Sequence, residues 1–213
     1  MTRDERLAIL VHEARSPVAA LAAVAEALRE RHSSPPARRE LVRLALGACS
    51  AIERIVTDIA VASVRLSVVN ASDLVRDAVT AHAVAGVDVE ARVDSEPALI
   101  ACDPVRLRQA LDNLIRNAVI HGGARPVVVG VVRGDEGVSL SVADAGPGIA
   151  PEDLDRIFAP GVRLNEHRPG SGLGLSITRA IVEAHGGTLG VESSSAGSTF
   201  TITLPVTTAQ PAT

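Results

Sequence analysis

Apolar positions in the first third of the chain recur at helical spacing. Leu7, Leu10, Val11, Ala14, Val18, Leu21, Ala25 and Leu28 fall along one side of a helix predicted over residues 3–31. His32-Ser33-Ser34-Pro35-Pro36 reads as a turn. A second helix follows, with a stripe of Leu41, Leu44, Ala48, Ile52, Ile55, Ile59 and Ala62. Each helix would be about 40 Å long at about 1.5 Å per residue. Two such helices bury only part of their stripes against each other, so the pair is expected to complete a dimeric four-helix bundle.

The pattern changes near residue 66. Leu66 to Val69 predicts a short strand, and Ala71 to Val84 a helix capped by Asn70 or Ser72. Val87 to Val93 alternates as a strand does, and Ala98 to Ala101 is a short apolar run. Asp103-Pro104 then opens a helix, with Asp as cap and Pro in the first position, that runs to about His121 and stops at Gly122-Gly123. Its core face is Leu107, Ala110, Leu111, Leu114, Ile115 and Ala118. Val127 to Val132 and Val138 to Ala143 predict two strands, Pro151 to Phe158 a short helix, and Ala159 to Pro169 an irregular, mobile segment. Gly172-Leu173-Gly174 opens an amphipathic helix ending at Gly186-Gly187, and strands at Thr188 to Glu192 and Thr199 to Leu204 close the domain. The expected class is α+β: a helical hairpin over residues 1–66, an α/β domain over 67–206 and a disordered tail over 207–213.

Composition narrows the function. The chain is 46% hydrophobic, ample for a core, but it has two Phe and no Trp or Tyr, so stacking on nucleic-acid bases has almost no material. A net charge of −4 also argues against a polyanion binder, and no nucleic-acid partner is expected. All 21 basic residues are Arg, so no lysine can hold a phosphate. Cys49 and Cys102 show no metal or redox spacing and are expected to be buried as small apolar residues. No apolar run has the length of a membrane span and the N-terminus lacks a signal-peptide pattern, which predicts a soluble, cytoplasmic protein.

Candidate chemistry lies in two places. In the hairpin, His12 sits one residue, about 100°, off the apolar stripe and should face solvent. Glu13 beside it can orient the imidazole or accept its proton, and Ser16, one turn on, can hydrogen-bond a water or phosphate. Pro17 should bend the helix just past the histidine. In the α/β part, Gln109, Asn113 and Asn117 share one side of their helix at four-residue spacing. Amide oxygens are hard neutral donors suited to a magnesium ion that also binds phosphates. Asp144-Ala145-Gly146-Pro147-Gly148 puts an acid at a strand end, able to accept from an exocyclic amine such as that of adenine, with glycines that let a base approach the backbone. Gly170-Ser171-Gly172-Leu173-Gly174 precedes a helix whose first N–H groups form a natural phosphate site.

His12-Glu13-Ala14-Arg15-Ser16-Pro17 resembles the H-box of sensor histidine kinases. The helix carrying Asn113 and Asn117 resembles their N-box, Asp144 to Gly148 the G1 box, Ile157-Phe158-Ala159-Pro160 the F-box and Gly170 to Gly174 the G2 box. The resemblance covers nearly the whole chain. It implies an ATP-binding α/β sandwich, with helices over a mixed sheet, of the type shared with gyrase and mismatch-repair ATPases. It further implies that His12 takes the γ-phosphoryl group of ATP and passes it to an aspartate of a response-regulator receiver domain, assisted by Glu13. Ser16 occupies the position that places a water for the reverse phosphatase reaction. Asn117 would ligate magnesium, Asn113 assist at the phosphates, Asp144 read adenine, and Gly172 and Gly174 shape the phosphate loop under a mobile lid.

The chain departs from that pattern in three places. Ile120 stands where many such kinases carry a phosphate-reaching Lys or Arg, and His121 where an adenine-packing Tyr is common. Gln109 replaces the general-base Glu of the hydrolytic relatives, which argues against a plain ATPase. Magnesium, backbone amides, Arg116, Arg163 and Arg168 are the candidates for charge at the phosphates. Two other readings fit parts of the chain: a histidine phosphotransferase or docking module with a weak or inactive ATP site, and a protein-serine kinase of the anti-sigma type, which would lack the H-box hairpin. Only eleven residues precede His12. The signal is therefore expected from a separate sensor protein, from a larger complex or from a longer parent chain.

Overall fold

Helix-forming Ala, Leu, Glu and Arg dominate the first sixty residues, and they fold as two long helices. The computed structural model describes residues 3–29, 35–61, 64–94, 97–123, 125–134, 137–164 and 172–205. The chain divides into two compact units after residue 62.

In the first unit, α1 (Arg3–Arg29) and α2 (Pro35–Val61) pack against each other. Five residues join them, far too few to run back along a helix of this length, so the pair is antiparallel. Pro35 and Pro36, expected in the turn, already belong to α2, where a first-turn proline costs no backbone hydrogen bond. Helix α1 runs through Pro17 as one element.

The inward stripe of α1 differs from the expected one. Pro17 and Val24 are buried and Ala14, Ala20, Leu21 and Ala27 half-buried, while Val18, Ala25 and Leu28 are exposed. In α2, Leu41, Ala45, Ala48, Ile52 and Ile55 face inward at alternating spacings of four and three, and Leu44 is exposed. That is the seam of an antiparallel coiled pair, in which small alanines let the backbones approach. Cys49 is exposed on α2, contrary to expectation. Its spacing from Val42 and Leu46, both exposed, puts it on the outer side of the helix.

The second unit begins with β1 (Ser67–Asn70), which pairs antiparallel with β3 (Leu99–Cys102). Between them lie α3 (Ala71–Val84), capped by Asn70 on the Ser72 N–H, and β2 (Val89–Val93). Then come α4 (Pro104–His121), β4 (Val127–Arg133) and β5 (Gly137–Ala143). Residues 151–158 form two single 3-10 turns rather than a helix. The unit closes with α5 (Gly174–Ala184), β6 (Thr188–Ser194) and β7 (Gly197–Pro205).

The main sheet has the order β2-β4-β5-β7-β6. Only β2 and β4 are parallel, so the sheet is mixed. Alternation along the strands decides its faces. Val129, Val131, Leu140, Val142, Ile202 and Leu204 point into the core, while Ser139, Ser141, Thr201 and Thr203 are partly open. Helices α3, α4 and α5 contact this sheet, giving an α/β sandwich. All six apolar residues expected on the core face of α4 are buried.

Asp103 anchors the start of α4. Its carboxylate accepts from the N–H groups of Val105, Arg106 and Arg65, and its own N–H donates to His185 Nε2 at 2.9 Å. His185 therefore carries its proton on Nδ1, which faces the Ile181 carbonyl at 2.7 Å. This ties the far ends of α4 and α5 together. Burial alone would raise the Asp103 carboxyl, but the backbone N–H groups of Arg65, Arg106 and Val105 outweigh it and hold it below the ordinary carboxylate range. Cys102, buried beside it, is pushed up to about 12 by burial and by the Asp103 charge. Among the described residues no helix is long and apolar enough to cross a membrane.

Candidate functional site

A cleft of about 620 Å³ opens in the second unit between the C-terminal half of α4, the N-terminus of α5, the Asp144 turn and the segment after Phe158. Of the residues singled out in the sequence, Arg116, Asn117, Ile120, His121, Asp144, Gly148, Arg163, Gly172 and Gly174 line it. Gly146, Leu173 and Asn113 are not among the residues that line it. Gly170 lies outside the described residues, and so does Arg168.

Asp144 is fixed by the backbone on both sides. Its N–H donates to the Ser198 carbonyl at 2.9 Å, and its Oδ1 accepts from the Gly146 N–H at 2.8 Å. Among the described residues no hydrogen bond to the other carboxylate oxygen is seen, and the side chain is half-buried at the cleft. Gly148 has φ +78°, and a Cβ there would run into the Ser194 carbonyl oxygen. Gly122 packs on the acid's side chain: its Cβ would lie 2.7 Å from Asp144 Cβ. The glycine that stops α4 thus also lets the acid sit against the helix end. The sequence marked only the first of these roles.

One turn back along α4, the Asn117 amide is half-buried beside Gly174. A Cβ on Gly174 would sit 3.8 Å from both amide atoms, so glycine here leaves that space open rather than relieving a clash. Helix α5 begins without a side-chain cap: Leu173 precedes it and makes none. Its first N–H groups have no intrahelical partners and point toward the cleft end of the helix. Thr178 and Ser176 hydroxyls turn inward to the Gly174 and Leu173 carbonyls instead.

Asn113 is placed differently from the surface position its spacing gives. It is 7% exposed. Its Nδ2 reaches the Gly174 carbonyl at 3.5 Å, and its Oδ1 accepts a hydrogen bond from Arg116 Nη2. Arg116 itself is exposed and lines the cleft. Gln109 accepts from Arg106 at 3.1 Å and is likewise occupied.

The two phenylalanines of the chain meet beside the cleft. Phe158 stands edge-on to Phe200, ring centres 6.4 Å apart at 82°, with the Arg179 guanidinium 5.7 Å from the Phe158 ring centre. Phe200 lines the cleft, as do Ser198, Ile149, Ile157 and Leu175, of which the sequence had marked only Ile157, within the F-box resemblance. Immediately after Phe158 the chain leaves the core, and Gly161 N–H bonds the Gly172 carbonyl at 3.2 Å, closing the base of the intervening segment.

In the hairpin, His12 and Glu13 lie within α1, but the orientation expected of them falls outside the described side chains. Ser16 is exposed.

No group of three or more His, Cys, Asp or Glu among the described residues could hold a metal ion. The oxygen donor nearest Gly174 is the Asn117 amide, whereas the helix N–H groups there can meet only anions. Such an amide suits a magnesium ion only when phosphate oxygens and water complete its shell.

Comparison with known proteins matches this geometry. Residues 102–208 match the family of histidine kinase-, DNA gyrase B-, and HSP90-like ATPases. The sensor histidine kinase ZraS of Klebsiella oxytoca is 33% identical over 209 residues, which cover 92% of this chain and 45% of ZraS. The adaptive-response sensory kinase SasA of Synechococcus sp. is 32% identical over 225 residues, covering 96% of this chain and 59% of SasA. The chain spans about half the length of the curated relatives it matches. Among solved structures, full-length ShkA in complex with AMPPNP superposes with a TM-score of 0.66 at 28% identity, over 98% of this chain and 47% of that one. The mycobacterial sensor histidine kinase MprB superposes with a TM-score of 0.58 at 28% identity, over 66% of this chain and 97% of that one. The resemblance read from the five sequence boxes is borne out, and the α/β sandwich with it. The chain belongs to the histidine kinase-, DNA gyrase B-, and HSP90-like ATPase family.

Proposed function

We propose that this chain is the phosphoryl-transferring part of an ATP-dependent protein-histidine kinase. The observation that carries the reading is the cleft, where an acid fixed by backbone bonds, an amide on α4 and an uncapped helix N-terminus converge. Its relatives are named sensor histidine kinases, and the related ShkA structure holds AMPPNP.

In this reading Asp144 accepts a hydrogen bond from the adenine amine, and Phe200, Ile149 and Ile157 supply apolar contact to the base. His121, at the end of α4, flanks it. The N–H groups of Gly174 and the next residues bind the phosphates. Asn117 holds magnesium together with the phosphate oxygens, and the ion supplies charge neutralisation when bound. Gly172 and Leu173 keep the backbone near the phosphates; Gly170, expected to share that role, lies outside the described residues.

His12 is the acceptor. A neutral ring nitrogen forms the new bond to the γ-phosphorus while the bond to the bridging oxygen breaks and ADP leaves with that electron pair. Glu13 takes the proton from the other ring nitrogen. The phosphoryl group then passes to an aspartate of a response-regulator receiver domain. Ser16 orients water for the reverse hydrolysis.

The hairpin works as a dimer with a second copy of the chain. Val42 (54% exposed), Leu46 (63% exposed), Val18 and Leu28 leave apolar surface uncovered on the outer sides of α1 and α2. A second hairpin covering them would complete a four-helix bundle.

Incubation with γ-labelled ATP and magnesium tests the reading. Label that is acid-labile, survives alkali and is absent from His12→Gln supports it. Label retained in that variant, or stable to acid, overturns the assignment.

A further inference from the structure

Resting on the reading of the cleft as an ATP site, we propose that Arg116 is the residue that meets the terminal phosphate, held in place by Asn113. The charge that a lysine would bring is absent from the whole chain, and Ile120 occupies the α4 position next to the cleft from which a cation would most simply reach in. Arg116 sits one turn earlier on the same helix and lines the same cleft.

The order of residues along α4 says which end of a ligand it faces. Gly122, at the helix end, packs against Asp144. Asn117, one turn back, lies beside the Gly174 backbone. Asn113, a further turn back, contacts the Gly174 carbonyl and takes the Arg116 hydrogen bond. From residue 122 to residue 113 the helix rises about 13 Å at about 1.5 Å per residue. That is comparable with the length of an extended nucleoside triphosphate. With the base at Asp144 and the inner phosphates at Gly174, the guanidinium lies at the end farthest from the base.

Its posture fits this place. Side chains on a helix lean toward the N-terminus, so Arg116 reaches back over Asn113 rather than forward to the base. One end of its planar fork is committed to Asn113 Oδ1 and leaves further N–H groups for a phosphate. The Asn113 amide, itself pinned to the Gly174 carbonyl, is the positioning residue behind it. This gives the buried asparagine a role without requiring it to touch the nucleotide. The consequence is selectivity: a cation confined to the far end distinguishes ATP from ADP, whereas Asp144 and the Gly174 loop bind both.

The test is equilibrium binding of ATP, ADP and adenosine, with magnesium, to the full chain and to Arg116→Gln, Arg116→Lys and Asn113→Ala. Loss of a charge-assisted phosphate contact should weaken ATP binding to Arg116→Gln by about 10- to 100-fold. ADP should lose less than about threefold, and adenosine, which reports an intact pocket, should not change. Arg116→Lys, which keeps the charge, should recover part of the preference for ATP. Asn113→Ala should lower the preference by a smaller factor than Arg116→Gln. Equal losses for ATP and ADP, a parallel loss of adenosine, or unchanged ATP binding would overturn the assignment and make Arg116 structural. A wild-type chain that binds adenosine and ADP but shows no preference for ATP would overturn it while leaving the cleft reading intact. A wild-type chain that binds none of the three would overturn both.

Discussion

The hairpin and the α/β unit differ in how they use apolar residues. In the α/β unit, α4, β5 and β7 contribute side chains that are completely buried, among them Leu107, Leu111, Leu114, Leu140 and Ile202. The hairpin, among its described residues, buries Val24, Ala48 and Ile55 while exposing Val18, Leu28, Val42, Leu44 and Leu46. The first is a closed core that fixes a cleft on its own. The second leaves apolar faces open, as the proposed dimer requires. In the proposed function a preformed site suits ATP, whereas a phosphoryl acceptor would be presented to different partners in turn, and a helical pair completed by association suits that.

The sharpest way to break this comparison is to truncate one leucine in each unit. Leu111→Ala should cost about 2–5 kcal/mol, read as a large fall in the melting temperature of the α/β unit. Leu46→Ala should change the stability of the dilute monomer by no more than about 0.5 kcal/mol. It should instead weaken self-association, seen as a rise in the concentration at which sedimentation shows a dimer.

Next in size is the cleft. Asp144→Asn keeps an oxygen for the Gly146 N–H but exchanges a charged acceptor at the ligand for an amide. The expected loss is about 1.5–3 kcal/mol of ATP binding, with the melting temperature of the apo protein nearly unchanged. Calorimetric titration and a melting curve separate the two effects.

A smaller effect is expected at the helix cap. Asp103→Ala should destabilise by about 0.5–2 kcal/mol at neutral pH. The folded carboxyl is depressed, so its contribution is complete above the unfolded value of about 3.9 and fades as pH falls through the folded value. The gap in stability between wild type and variant should therefore narrow in acid, below about pH 4. A gap that widened in acid would contradict the bonding at that cap.

The smallest effect is chemical. Cys49 should react with a thiol reagent in the native state, and Cys102, buried and pushed up to about 12, only on unfolding. Cys49 follows the exposed Val42 and Leu46 at spacings of four and three, so its labelling should slow as protein concentration rises. Labelling that is independent of concentration would place the dimer contact elsewhere.

These contrasts also explain what could be read from the sequence. Helix α4 was legible to the residue because its signals are local: a capping Asp103, Pro104 at the first position, an unbroken apolar face and a terminal glycine. The hairpin's existence was legible, but its inward stripe was not. Alanines at 14, 19, 20, 22, 23, 25 and 27 leave several faces of α1 almost equally apolar, and Pro17, read as a bend, is buried at the seam. That Asp144 and Gly174 would share one cleft was legible because the turn and helix start lie beside them in sequence. The packing of Gly122 on Asp144 and the Asp103–His185 tie join residues far apart in sequence and leave no local mark. Asn113 is the instructive case: its spacing predicted a surface position, yet it is buried, and Arg116 within one turn, not the asparagine, lines the cleft.

The central claim is a division of labour: the cleft holds ATP and the hairpin histidine receives its phosphoryl group. It is tested most directly by titrating His12→Gln with ATP and magnesium and following label transfer in the same samples. The account predicts wild-type affinity with no transferred label. Loss of ATP binding in this variant, or label transferred despite the substitution, would contradict it.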